Sequence, residues 1–370
     1  MNRFNLPDIQ FAQKSAEQIE ADAVARFEEN TDITLTKADP RRKFIQTDAY
    51  MLALQRSLID YTGKQNLLAY AENENLDHIG ARAKTPRLEA LAARTTQRFH
   101  LSIAKPQTIP EGTRVSAGDG IFFATLESVE VAAGQTFVDV MVECTVMGSI
   151  GDGYLPGQLN QLVDPLQWVQ SVQNLTTSAG GADTEADDPY AERIWQAPES
   201  FSVAGPEGAY KYWARTASPS IVDVAVDSPA PCEIEIRPLL QGGQIPTQEV
   251  LDQVMEVCND RKIRPLSDLV KVLAPEQVNY DLSVTYWIGL SSSGMATSIK
   301  AKIEKAIDEF IQWQKSKLGR DIDPSELTAR IKMAGAKRAA VTLPMYRQIA
   351  PHQVAKENQV QVVYGGLEDD

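Results

Sequence analysis

The sequence predicts a multidomain α+β protein: an N-terminal helical region, an antiparallel β-rich domain and two small C-terminal α+β domains. Three shifts of hydrophobic pattern predict it. Apolar residues recur every three or four positions through residues 1–84, at every second position between residues 95 and 177, and in alternating strand and helix spacings beyond residue 222. A chain of 370 residues is long enough for two or three domains, each with its own core.

The helical region reads as two main helices. Ile9, Ala12, Ala16, Ile19, Ala23 and Phe27 make a stripe over residues 8–29, and Asp39-Pro40 breaks the run. A second helix carries Phe44, Thr47, Met51, Leu54, Leu58 and Tyr61, two heptads of a packing seam. Such a seam serves either an ordinary amphipathic helix or a bundle with other chains. The narrow, alanine-rich first stripe offers little core of its own. That favours a bundle, with Phe44, Met51, Leu54, Leu58 and Tyr61 as its interface.

In the β-rich part, Phe99, Leu101 and Ile103 alternate with His100 and Ser102, and Val138, Val140, Val142, Cys144 and Val146 alternate with Asp139, Met141, Glu143 and Thr145. Turns are expected at Ile109-Pro110-Glu111-Gly112, Gly118-Asp119-Gly120 and Ala133-Gly134. This predicts a compact antiparallel sheet or small sandwich. Gly148, Gly151, Gly153 and Gly157 mark a loop that links strands or binds a ligand.

Residues 172–226 read as the joint between the β-rich first half and the α/β second half. A strand ends near Thr177. Gly180 and Gly181 come next as a hinge, since paired glycines permit a change of chain direction. Asp188 before Pro189 reads as a helix cap, and Gly205-Pro206-Glu207 as a second helix start. A calcium loop counted from Asp183 needs Gly in sixth place and Glu in twelfth; Asp188 and Ile194 stand there, so a capped, solvated turn is expected. No Gly-Lys-Ser/Thr comes after the glycines, as a phosphate loop requires.

Beyond the joint, strands are expected at residues 222–227 and 233–237, separated by Ser228-Pro229-Ala230-Pro231, then a helix at 246–261 and a strand at 268–273. The last part offers a strand at 280–290, a long helix through Ile299, Ile303 and Phe310, and a capped helix start at Asp323-Pro324-Ser325-Glu326. Strands at 339–343 and 359–364 and a frayed tail at 365–370 complete it. The expected division is 1–84, 85–178, 179–276 and 277–370.

A net charge of -14 disfavours nucleic acid or an anionic membrane as partner, because both need a basic footprint. The start, MNRFNLPDIQ, lacks the apolar core of a signal peptide, and no apolar run approaches the length of a membrane span. Three scattered cysteines, Cys144, Cys232 and Cys258, fit a reducing compartment and inert burial. His78, His100 and His352 are far apart without i,i+4 partners, so no metal or other cofactor is expected. No Gly-x-Ser-x-Gly elbow appears, and Cys232, in an expected strand, has no signature of an activated thiol. Glu233 and Glu235 share a strand face, as acids do on any solvated strand; a glycosidase pair is the chemical alternative.

An ordered set of short motifs carries a resemblance. It comprises Leu76-Asp77-His78-Ile79-Gly80 followed by Arg87, Ile109-Pro110-Glu111-Gly112-Thr113, Phe122-Phe123-Ala124-Thr125, the glycine-rich residues 148–157, Ser171-Val172-Gln173-Asn174, and the run Gly180-Gly181 through Asp183, Glu185, Asp187, Asp188 and Glu192-Arg193-Ile194. With the Gly205-x-x-x-x-Tyr210 helix and the Val-rich strand to Val226 that come after it, the set extends from about residue 76 to 226 and resembles the baseplate J family, wedge proteins of contractile phage tails and related injection machines. The resemblance implies a non-enzymatic structural wedge that pairs with a second copy of itself. It implies N-terminal helices bundled with another wedge protein, contacts to sheath-initiator and hub proteins, and rigid-body movement on contraction. Such a protein is assembled in the bacterial host cytoplasm and resides in the tail baseplate. The alternative from another class is a polysaccharide-active enzyme or carbohydrate-binding module.

Overall fold

The computed structural model describes residues 3–12, 14–202 and 205–369. Met1 and Asn2 of the stretch read for a signal peptide, Gln13 inside the expected first helix, Val203 and Ala204, and Asp370 of the expected frayed tail lie outside the described residues. The chain divides into two compact units, Met1–Arg87 with Ala186–Pro198, and Leu88–Glu185 with Glu199–Asp370.

The first unit is helical: α1 (Ala16–Thr31), α2 (Pro40–Lys64), α3 (Asn73–Arg82) and α4 (Asp187–Gln196). The stripe expected over residues 8–29 is shorter in the structure. Ser15 and Gln18 form a reciprocal capping box that starts α1, so Ile9 and Ala12 stay outside it. The segment before the cap has other partners: the Phe11 N–H donates to Asp60 at 2.7 Å and the Tyr70 hydroxyl to Asp8 at 2.8 Å. Asp39 and Pro40 start α2 as cap and first residue. Asp188 is not a cap: Ala186 holds that place, and Asp187 and Asp188 both sit in the first turn of α4. Pro189 is tolerated there because first-turn amides have no helical partner. A small core of Leu76, Ala71, Tyr190, Ala191 and Ile194 joins α3 to α4.

The second unit opens with β1 (Arg94–Leu101), β2 (Gln107–Ile109), β3 (Arg114–Ser116), β4 (Phe122–Thr125), β5 (Val129–Val131), β6 (Phe137–Cys144), β7 (Gln161–Leu162) and β8 (Val169–Asn174). Six of them form a wholly antiparallel sheet, β7-β3-β4-β6-β1-β8, and β2 pairs with β5. The outermost strands, β7 and β8, come together, so the sheet curls like a barrel. Its alternating inward residues, Phe99, Leu101, Val115, Phe123, Val140 and Val142, fill the interior.

Next come α5 (Glu207–Thr216), β9 (Ile221–Ala230), β10 (Glu233–Leu240), α6 (Gln248–Cys258) and β11 (Leu269–Val272), with sheet order β11-β10-β9. The proline-rich stretch at 228–231 does not separate the strands as expected. β9 runs through Pro229 to Ala230, because it is an edge strand with a register shift at that point, where a missing N–H costs no ladder bond. Cys232 therefore lies in the tight turn, exposed and with φ of 64°, rather than in a strand.

Last come β12 (Glu276–Gly289), α7 (Ala296–Lys315), α8 (Pro324–Met333), β13 (Arg338–Leu343) and β14 (Gln353–Glu368), with sheet order β13-β12-β14 and a parallel β12–β14 pair. α7 and α8 cover the face bearing Leu282, Val284, Tyr286 and Ile288. Asp323 caps α8 by accepting from Ser325 N–H at 2.8 Å. The tail expected to fray is strand as far as Glu368, which pairs with Arg338 at 2.9 Å. The α+β, multidomain class read from the sequence is the observed one.

Candidate functional site

The seam residues are placed by the phase of α2. At about 100° per residue, Ile45, Gln46, Ala49, Ala53 and Asp60 gather on one helix face. They are among the buried or half-buried residues of the helix, and α1, whose buried residues are Ile19 and Val24, packs against α2. Glu20 of α1 ties the pair by accepting from Arg42 at 2.9 Å and Gln46 at 3.0 Å. Phe44, Met51, Leu54, Leu58 and Tyr61 fall on the opposite face, each between 51% and 76% exposed. Tyr50 flanks this stripe, and Leu52 and Ile59 lie beyond it, all three exposed as well. The helix thus uses one face within its own unit and leaves a wide apolar arc uncovered.

The glycine joint is a different kind of site. Ala179 and Ala182 are pinned to Arg94 and Leu91 by paired backbone hydrogen bonds of 2.8–3.0 Å, so Gly180 and Gly181 form a tight loop between two bridges. Gly180 has φ of 89°, which favours glycine. Gly181 has no such φ, and close approach accounts for it: a Cβ there would lie 2.6 Å from the Gly148 carbonyl oxygen. Its N–H donates to Asp152 at 2.9 Å. Glu249 lies behind Gly180, and Arg94 pairs with Glu143 at 2.6 Å while approaching Glu249 to 3.9 Å. Burial, with Asp183 adding to it, holds the Asp152 carboxyl above the usual carboxylate range. Burial also raises Glu249, opposed by Arg94 and reinforced by Asp152, Glu143 and Asp252.

The acidic run after the glycines is engaged residue by residue. In the second unit, Asp183 accepts from the Ser149 N–H and hydroxyl, and buried Glu185 accepts from the Leu88 N–H. In the first unit, Asp187 accepts from the Asn73 N–H and pairs with Arg87 at 2.8 Å, and Asp188 pairs with Arg3 at 2.7 Å. Among the described residues no group of three or more His, Cys, Asp and Glu side chains is placed to hold a metal. Burial raises the thiols of Cys144 and Cys258, the latter to about 12, which keeps them protonated. Glu233 and Glu235 each have their own cation, Lys271 at 2.8 Å and Arg237 at 3.1 Å. Among the described residues no helix is long and apolar enough to cross a membrane.

Two residues inside recognised motifs do more than sequence reading assigned them. Asn174 is buried; its amide nitrogen donates to the carbonyls of Tyr154, Leu155 and Thr176, and its oxygen accepts from Leu159 N–H. One side chain thereby ties down the end of the glycine-rich segment and the residues just beyond it. Arg193, 2% exposed, donates to the Pro86 carbonyl at 2.6 Å and lies over the Tyr190 ring. Neither residue stands out in its motif, since Ser171, Gln173 and Glu192 beside them are polar too, so their burial was not visible in the sequence.

A curled barrel-like sheet, two three-stranded sheets each backed by helices, and a separate helical unit define a modular α+β protein. Profiles of one family match it in consecutive segments: the baseplate J-like N-terminal domain over residues 37–93, the barrel domain over 96–181, the central domain over 202–274 and the C-terminal domain over 280–363. The chain belongs to the baseplate J-like family. Baseplate protein J of Escherichia phage P2 is 32% identical over 162 residues, 44% of this chain. The chain spans about half of that relative's length, 53%. A chain in the sixfold-symmetrised cryo-EM structure of the anti-feeding prophage baseplate is similar with a TM-score of 0.39 and 11% identity, over 91% of this chain and 90% of that one.

Proposed function

We propose that this protein is a non-enzymatic structural component of the baseplate of a contractile tail or related injection machine, acting there as a wedge. Family membership supports the class of role. The observation that carries the finer reading is the seam of α2: five large apolar side chains on the face turned away from α1. Monomeric proteins rarely leave so continuous an apolar strip in water, and such strips mark interaction sites. In this reading the helices of residues 1–84 bundle with a second wedge protein, another copy of the chain docks on the two C-terminal α+β modules, 179–276 and 277–370, and the sheath-initiator and hub proteins are further partners. Gly180 and Gly181 set the angle between the barrel and the α+β module after it, and the modules move as rigid bodies on contraction. The protein is assembled in the bacterial host cytoplasm and resides in the particle's baseplate.

The test is particle assembly with Met51→Asp and Leu54→Asp together, followed by electron microscopy. Tails without complete baseplates are expected. Intact baseplates containing the variant would overturn the bundling role.

A further inference from the structure

The sheet β11-β10-β9 has two covered faces, and only one is covered by its own helices. Ile221, Val224, Ile236 and Val270 face α5 and α6. Val222, Ala225 and Leu239 face the other way and meet Leu318 and Val354, which come from the turn after α7 and the start of β14. Leu239 and Val354 are fully buried and Leu318 nearly so. The turn that delivers Leu318 is preshaped. Gln314, itself fully buried, donates to the carbonyls of Arg320 and Asp321, and the Gly319 N–H donates to the Gln353 carbonyl at 2.9 Å.

Polar contacts fix the same junction. Asp223 of β9 accepts from the Leu318 N–H at 2.9 Å. Gly243, in the turn after β10 with φ of 72°, lies flat against Lys315: a Cβ there would be 2.7 Å from the Lys315 Cβ and 2.8 Å from its carbonyl oxygen. Lys315 in turn pairs with Glu357 of β14 at 2.9 Å, both side chains mostly buried.

We infer that the two C-terminal sheets form one cooperative body, clasped by the turn at residues 314–320 with Leu318 as its plug. The two matched family segments at 202–274 and 280–363 are then sequence modules rather than independent folding units. A junction with a buried apolar centre, a backbone hydrogen bond to a carboxylate and a glycine seated on a backbone carbonyl has no slack for a hinge. If the baseplate reading is right, movement during contraction is taken up elsewhere. That consequence rests on the proposed function; the cooperativity does not, and it is tested on the isolated chain.

Hydrogen exchange of the full-length chain along a denaturant series reads the junction directly. In the wild type, the most protected amides of β9 and β10 and those of β12 and β14 are expected to open together, with the same free energy and denaturant slope. Leu318→Asp is expected to split them, opening one sheet at lower denaturant while the other keeps its protection. Should Leu318→Asp fail to fold, Leu318→Ala and Gly243→Val serve the same reading, and Leu318→Met is expected to retain the shared opening. Separate openings of the two sheets in the wild type would overturn the inference, as would a shared opening that survives loss of the Leu318 side chain. Normal exchange coupling with no role in baseplate assembly would instead sink the functional reading alone.

Discussion

The Tyr190 hydroxyl occupies the place a side chain at Gly80 would need. It donates to the Thr85 carbonyl at 2.8 Å, and a Cβ on Gly80 would collide with it and come within 2.7 Å of the Thr85 carbonyl oxygen. The glycine that ends the Leu76-Asp77-His78-Ile79-Gly80 motif is therefore the gap into which α4 inserts a tyrosine. Gly80→Ala is expected to destabilise the helical unit by about 1–3 kcal/mol through overpacking. Tyr190→Phe should cost ~1 kcal/mol for the lost hydrogen bond. Because the phenylalanine lacks the oxygen that clashes, the double variant should be more stable than the sum of the singles. Chemical denaturation of all four proteins measures the coupling, and strict additivity would show that the two residues do not meet.

Regular periodicity was legible wherever local pattern and tertiary packing agree. The stripe Ile299, Ile303 and Phe310 became α7, the alternation of Val138 to Cys144 became β6, and Asp323 capped α8 as its sequence signature indicates. What was not legible depends on partners distant in sequence. Ile9 and Ala12 continue a helical stripe, yet Asp60 and Tyr70 hold that segment outside α1. The ten residues of α4 carry too few apolar positions to reveal that their core lies with α3, more than a hundred positions earlier in the chain. Pro229 signals a break only when the strand is interior, and edge position is a property of the sheet. The seam of α2 was visible as a heptad pattern, but its outward orientation needed α1 to be seen on the opposite face.

The seam predicts self-association or hetero-association that depends on apolar contact. Met51 and Leu54 are about half covered already, so burying the rest contributes roughly 1 kcal/mol each, about half the full transfer value. At micromolar concentration the wild-type chain is expected to self-associate in light scattering. Met51→Asp with Leu54→Asp should be monomeric with unchanged circular dichroism, and should no longer co-purify with a partner wedge protein. A wild-type chain that stays strictly monomeric while its helices resist exchange would show the arc to be satisfied within one chain.

The two joint glycines should respond differently to alanine. Gly180→Ala meets only ordinary contacts with Glu249 but must keep a φ of 89°, a strain of about 1–2 kcal/mol. Gly181→Ala has no such φ but drives a methyl against the Gly148 carbonyl, which is backbone and cannot turn aside. Gly181→Ala is therefore expected to cost the larger unit more, up to about 3 kcal/mol. Replacing both by valine should leave the separate cores folded while particle assembly fails. Denaturant midpoints give the ranking; equal midpoints for the two alanine variants would contradict the close approach at Gly181.

Glu249 makes the joint sensitive to pH. Its carboxyl is raised by burial and by the neighbouring Asp152, Glu143 and Asp252, with Arg94 the opposing cation. Asp152 is raised by burial too, but much of its surface stays in solvent, so the larger effect is expected at Glu249. A carboxyl whose folded pKa lies above its unfolded one contributes stability that is present below the unfolded value and lost as pH rises through the folded value. The window thus opens at the ordinary glutamate value of 4.5 and extends upward. Glu249→Gln keeps the shape and removes the charge. Arg94 retains Glu143, so its guanidinium is not left unpaired. The variant is expected to be more stable than the wild type at pH 7, and the gain should shrink as the pH falls toward 4.5 and the wild-type side chain takes up its proton. Melting temperatures of the two proteins across that range test this. A variant less stable than the wild type at pH 7, or a difference that does not change with pH, would mean that Arg94 rather than desolvation governs this carboxylate.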